Sequence, residues 1–188
     1  MTESANSRLI YISGGSRSGK SRYAELRAVQ LPGPRTYIAT CPAIDAEMDE
    51  RIARHRLQRE KYDWLTLEEP LELARVLGEC QDSSVVLVDC LTLWINNLLY
   101  RAQQNNKEIS EEDITTLCTE VAVAARQGKR TIIFVTNELG MGLVPADPVS
   151  RLYRDLVGRC NQTIVGLADE AVFVVSGCPI FLKGDVKK

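Results

Sequence analysis

Leu9-Ile10-Tyr11-Ile12-Ser13-Gly14-Gly15-Ser16-Arg17-Ser18-Gly19-Lys20-Ser21 runs from an apolar, β-branched stretch through a glycine-rich turn into residues that favour a helix. Residues 14–21 fit the pattern G-x-x-x-x-G-K-S/T at every fixed position. The glycines let backbone N–H groups converge on phosphate oxygens, and the new helix aims its positive end at the same point. The pattern therefore predicts nucleotide contacts from Gly14, Gly15, Ser16, Arg17, Ser18, Gly19, Lys20 and Ser21. Lys20 is expected at the β- and γ-phosphates, and the Ser21 hydroxyl at a Mg²⁺ ion. The alternative, a strand-to-helix turn that binds nothing, leaves the full pattern and both flanks without a reason.

Outward from this stretch, short apolar runs alternate with longer helical ones. Strands are expected at Leu9-Ile10-Tyr11-Ile12, Thr36-Tyr37-Ile38-Ala39, Val85-Val86-Leu87-Val88, Thr131-Ile132-Ile133-Phe134-Val135 and Ala171-Val172-Phe173-Val174-Val175. They are apolar on both faces, as parallel strands covered on both sides must be. Ile180-Phe181-Leu182 reads as an edge strand after the turn Gly177-Cys178-Pro179. Helices are expected over 20–30, 46–61, 70–79, 91–104, 111–126 and 149–167. Pro70 suits a first helical turn behind Glu68 and Glu69, and Ser110 with Asp113 forms a capping pattern. The alternation predicts an α/β fold of the P-loop NTPase type, three layers around a mostly parallel sheet. No linker or repeat divides the chain, so residues 1–188 are expected to form one domain.

Val85-Val86-Leu87-Val88-Asp89 ends an apolar strand in a carboxylate. At the sheet's carboxyl edge Asp89 would stand beside the phosphate loop and hold the metal or a metal-bound water. A helix N-cap is the alternative, since helical residues follow. Thr136-Asn137-Glu138 ends another strand, and Glu138 either faces the same crevice or is a polar loop residue.

The 188 residues are 45% hydrophobic and 26% charged, enough for one substantial core. Twenty-five Asp and Glu against 23 Lys and Arg leave a net charge of -2, which argues against a mainly electrostatic binder of nucleic acid. Six cysteines form no C-x-x-C pair, and a single histidine gives zinc little to bind. The start, MTESANSR, lacks the plan of a signal peptide, and no apolar run reaches the ~18 residues of a membrane span. A soluble, cytoplasmic protein with thiols buried as small hydrophobes is expected.

The single histidine, His55, follows Met48 and Ile52 at helical spacing, with Arg51 and Arg59 four residues to either side. Guanidinium groups there would hold a polyphosphate and favour the uncharged, nucleophilic imidazole. A solvated histidine on an Arg/Glu-rich surface helix is the competing reading.

The chain closely resembles the bifunctional adenosylcobinamide kinase/adenosylcobinamide-phosphate guanylyltransferase family of cobalamin biosynthesis. Besides the phosphate loop, the matching stretches are Tyr37-Ile38-Ala39-Thr40, Asp45-Ala46-Glu47-Met48, Arg51-Ile52, His55-Arg56-Leu57-Gln58-Arg59 and Trp64-Leu65-Thr66-Leu67-Glu68. Asp89-Cys90-Leu91-Thr92, Val135-Thr136-Asn137-Glu138-Leu139-Gly140-Met141-Gly142 and Val175-Ser176-Gly177 complete them, in order over nearly the whole chain. The resemblance implies two reactions. A nucleoside triphosphate, ATP or GTP, phosphorylates adenosylcobinamide. GTP then donates GMP to that phosphate through a GMP-histidine intermediate, giving adenosylcobinamide-GDP and pyrophosphate. It further implies His55 as the nucleophile, nucleotide contacts from Thr40, Arg56, Arg59, Glu68 (to guanine) and Asp89, and a homo-oligomer, a trimer. Two other classes remain open: a phosphate-loop kinase with another small acceptor, and a nucleotide-binding regulatory protein.

Overall fold

The computed structural model describes residues 7–41 and 62–184. The expected helix over 46–61, with His55, Arg56 and Arg59, lies outside the described residues.

In chain order the elements are β1 (Arg8–Gly14), α1 (Lys20–Val29), β2 (Arg35–Ala39), β3 (Trp64–Glu68), α2 (Leu73–Glu79), β4 (Val85–Asp89) and α3 (Leu91–Gln104). There follow α4 (Glu111–Ala125), β5 (Thr131–Asn137), α5 (Pro148–Leu167), β6 (Glu170–Val175) and β7 (Cys178–Lys183). One sheet carries all these strands in the order β3-β2-β4-β5-β1-β6-β7. Every pairing is parallel except β6 with β7, so the expected edge strand returns as a hairpin.

The two faces of the sheet bury separate apolar clusters. Leu9, Tyr11, Ile38, Val86, Val88, Ile132 and Phe134 pack with α2, α3, α4 and α5. Ile10, Ile12, Tyr37, Val85, Leu87, Ile133, Val135, Val172 and Val174 pack on the other face with Ala24 and Ala28 of α1. Successive strand residues point to opposite faces, so burial on both sides explains runs with no polar alternation.

Two local expectations are corrected. β3 was not foreseen, because Trp64-Leu65-Thr66-Leu67-Glu68 is short and only half-buried on an edge. The helix expected from Pro70 starts at Leu73. Its approach is a bend in which the Glu69 carboxylate accepts from the N–H groups of Leu71 (3.0 Å) and Glu72 (2.8 Å). Pro70 belongs to that bend, and Glu69 supplies the negative charge at the helix start. The capping pattern at α4 is present in full: Asp113 N–H donates to Ser110 Oγ (3.2 Å) and Ser110 N–H to Asp113 Oδ2 (2.8 Å).

Candidate functional site

The carboxyl ends of six parallel strands form one edge, and the phosphate loop rises from the end of β1. Ser18 N–H and Lys20 Nζ both donate to the Gly15 carbonyl, each at 3.2 Å, which folds the loop on itself. Arg17 (φ 59°) and Gly19 (φ 92°) take left-handed backbone conformations. Gly19 is the N-cap of α1, which has no side-chain cap and no acidic residue in its first turn. Its first N–H groups and its dipole therefore remain available to an anion.

Neighbours hold the loop closely. A Cβ on Gly14 would stand 2.4 Å from the Val174 carbonyl oxygen and 2.6 Å from Ser18 Oγ. Gly177 N–H, at the tip of the β6–β7 hairpin, donates to the Ser18 carbonyl at 2.8 Å. Glu138 N–H donates to the Gly14 carbonyl at 3.2 Å from the other side.

Asp89 is not the residue directly beside the loop. β5 intervenes between β4 and β1, and the Cα partner of Gly14 is Asn137. Asp89 pairs instead with Ala39 and Val135, two strand spacings from β1, about 10 Å. Alternation nevertheless places Asp89 and Asn137 on the α1 face, since Val85, Leu87, Ile133 and Val135 face α1. Tyr37 Oη donates to Asp89 Oδ2 at 3.1 Å. The following thiol, Cys90, is pushed up to about 12, mainly by burial and further by the Asp89 charge; nearby Lys20 opposes this.

Thr40 is fully buried, and its hydroxyl bridges the Cys90 backbone, accepting from the N–H (2.8 Å) and donating to the carbonyl (2.7 Å). The turn that carries Asp89 is thereby pinned to the end of β2. Glu138 adjoins the loop through its backbone, while its carboxylate accepts from Gly140 N–H at 3.0 Å. Its charge also bears on the Tyr11 phenol, which burial, the larger cause, already pushes up. Glu68 ends β3, four strand spacings or about 19 Å from β1, on the same face as Asp89. The structure thus brings together Gly14, Gly15, Ser16, Arg17, Ser18, Gly19, Lys20 and Ser21, sets Asp89 on their face, and leaves Glu68 at the far end of the edge.

A buried polar cluster lies behind the edge. Thr92 Oγ1 and Thr136 Oγ1 are 3.1 Å apart, and Thr136 Oγ1 donates to Asn161 Oδ1 at 2.9 Å. Asn137 is held at both backbone groups: its N–H donates to Thr92 Oγ1 (2.7 Å), and its carbonyl accepts from Asn161 Nδ2 (3.0 Å). Asn137 and Ser176-Gly177 stand in stretches that carry the family resemblance, but the sequence alone assigns neither a place at the loop. The adjacency of β5 to β1, which gives both a place at the loop, is a long-range pairing with no local signal.

Hydroxyl and carboxylate oxygens at Ser21 and Asp89 are hard donors that suit Mg²⁺, an ion that completes its shell with waters and substrate phosphates. Among the described residues no group of three His, Cys, Asp or Glu could hold a metal by itself. A cation here would be shared with the nucleotide.

A family model described as cobinamide kinase / cobinamide phosphate guanyltransferase matches residues 10–182. The bifunctional adenosylcobalamin biosynthesis protein CobP of Pseudomonas aeruginosa is 42% identical over 175 residues, covering 93% of this chain and 96% of that protein. The bifunctional adenosylcobalamin biosynthesis proteins CobU of Escherichia coli K12 and Salmonella typhimurium LT2 are each 34% identical over 182 residues, covering 93% of this chain and 99% of theirs.

Proposed function

The chain belongs to the cobinamide kinase / cobinamide phosphate guanyltransferase family, and on that premise we propose how its own residues divide the two reactions. It is a kinase and guanylyltransferase of adenosylcobalamin biosynthesis. The acceptor alcohol is adenosylcobinamide, ATP or GTP is the phosphoryl donor, and GTP supplies GMP.

In the first reaction the loop holds the β- and γ-phosphates, with Lys20 stabilising the charge that spreads over the transferring group. The acceptor oxygen bonds to the γ-phosphorus, the bridging oxygen leaves with the nucleoside diphosphate, and the hydroxyl proton passes to a carboxylate. Asp89 and Glu138 are the two carboxylates at this edge that can take it, and the Glu138 carboxylate already accepts from Gly140 N–H. Ser21 and Asp89 would hold Mg²⁺, which would supply positive charge to offset that of the phosphates. Thr40 serves the nucleotide site through the Asp89–Cys90 turn.

In the second reaction an imidazole nitrogen of His55 bonds to the α-phosphorus of GTP and pyrophosphate leaves. The acceptor's phosphate oxygen then displaces the imidazole. Arg56 and Arg59 accompany His55 in sequence and stabilise the anionic leaving group, and Glu68 accepts from the guanine N–H groups. The protein works in the cytoplasm as a homo-oligomer, a trimer.

One observation carries the two-step reading: a complete phosphate loop in a family member whose single histidine, His55, is followed four residues on by Arg59. The experiment is incubation with GTP labelled at the α-phosphate. Wild type is expected to take up label that acid releases and base retains, as for a P–N bond, and His55→Ala to take up none. Acid-stable label, or undiminished label on His55→Ala, excludes His55.

A further inference from the structure

Among the described residues, one polar atom beside the phosphate loop is buried and has no hydrogen-bond partner on the neighbouring strand: Asn137 Oδ1. Among the described residues no group donates to it. Its own backbone N–H is committed to Thr92 Oγ1 and that of Glu138 to the Gly14 carbonyl. Buried acceptors are nearly always satisfied, so an orphan at a crevice points to a donor that arrives with a ligand.

Chemistry narrows that donor. An ionised triphosphate brings acceptor oxygens and no O–H at its γ-end, so it satisfies a hydroxyl or an N–H but not a carbonyl oxygen. The second orphan of this corner, Ser18 Oγ, is such a hydroxyl, and it lies against the position a Gly14 Cβ would take. The pair therefore matches a phosphoryl group meeting an O–H.

Resting on the kinase reading above, we infer that Asn137 is a further catalytic residue, whose Oδ1 accepts a hydrogen bond from the attacking O–H and aims its oxygen at the γ-phosphorus. Asn137 stands opposite Gly14 in register and projects to the α1 face, as Gly14 does. Thr92 and Asn161 fix its backbone from two helices, so the carboxamide is positioned before substrate binds. Being neutral, it orients the hydroxyl and takes no proton; as the O–P bond forms, that same proton passes from the Oδ1 contact to the carboxylate base. The O–H is the acceptor alcohol's or that of a water beside the triphosphate, and the two reactions separate these sources. Phosphoryl transfer has an attacking hydroxyl, whereas the attacking groups of guanylyl transfer are an imidazole and a phosphate.

The test compares wild type, Asn137→Ala and Asn137→Ser for adenosylcobinamide phosphorylation, GTP affinity and α-phosphate labelling of the protein. For the alcohol, kcat of phosphorylation falls at least tenfold in Asn137→Ala, with GTP affinity and labelling within twofold of wild type; Asn137→Ser, which keeps an acceptor oxygen, recovers part of the loss. A fall in both reactions with a raised Mg²⁺ midpoint would mark a water held beside the triphosphate and overturn the assignment to the attacking hydroxyl. Unchanged phosphorylation in folded Asn137→Ala overturns the inference. So does a parallel loss of GTP affinity in both variants, which would mark Asn137 as a brace of the loop. Failure of wild type to phosphorylate adenosylcobinamide would defeat the kinase reading instead, and the variants are then compared on slow nucleotide hydrolysis, where water is the attacking O–H.

Discussion

Lys20 is 9% exposed and leans on the Gly15 carbonyl, so its charge is desolvated and aimed before a nucleotide arrives. Preorganised charge of this kind supplies about 2–4 kcal/mol of transition-state stabilisation. Lys20→Ala is therefore expected to slow both phosphoryl and guanylyl transfer by that margin, read as kcat/KM for each step; equal rates in a folded variant would contradict the assignment. Asp89 differs, because it acts with a cation. Asp89→Asn is expected to raise the Mg²⁺ concentration needed for half-maximal kinase rate, since an amide is a poorer partner for a hard ion. An unshifted titration with normal activity would return Asp89 to a capping role. The loop and Asp89 were legible because both lie within single short motifs. Asn137 was not, although it sits in the quoted Thr136-Asn137-Glu138 stretch, because its importance comes from pairing with Gly14 across 123 positions.

The strand–loop–helix unit shows which glycines geometry demands. Gly14 has no room for a Cβ, whereas a Cβ on Gly15 meets nothing within 4 Å. Gly14→Ala is expected to lower the melting temperature by several degrees, and Gly15→Ala to leave it nearly unchanged; similar melts would show that the loop relaxes away from Val174. Around this unit the core elements were readable, α3 to the residue, because burial on one or both faces imposes a period. β3 and the start of α2 escaped because an edge strand has little burial to impose one, and a capped bend resembles a first helical turn. That bend makes a pH prediction. Burial raises Glu69, but the N–H groups of Glu72 and Leu71 and the Arg75 guanidinium outweigh it, holding the carboxyl below its ordinary value. A depressed pKa contributes stability above the ordinary carboxylate range and loses it as pH falls through the lowered value. The melting difference between wild type and Glu69→Gln should therefore be steady near neutrality and shrink below about pH 5. A difference independent of pH would assign the effect to packing.

Across the whole molecule, one sheet with a core on each face leaves no seam among the described residues at which a second unit would separate. Trp64 on β3 and Trp94 on α3 report opposite faces of it, and a single domain requires their fluorescence and the helical circular dichroism to change at one midpoint. The sequence could not display what the outer surface does with the segment after Glu138. There Met141, Leu143 and Val144 are 76%, 95% and 68% exposed, three large apolar side chains within four residues. Single exposed hydrophobes are ordinary, but a cluster rising from the carboxyl edge favours burial against another surface. Under the homo-oligomer proposed above, a second copy of the chain would supply that surface. Leu143→Asp with Val144→Asp is then expected to reduce the mass measured by light scattering to that of one chain, with the circular dichroism of the fold retained. The same segment begins at Glu138, whose N–H holds the Gly14 carbonyl, so loss of assembly should also loosen the loop and weaken nucleotide binding. A wild-type monomer would remove the oligomer from the account. An unchanged mass in the double variant would move its interface elsewhere and leave the exposed segment to the substrate.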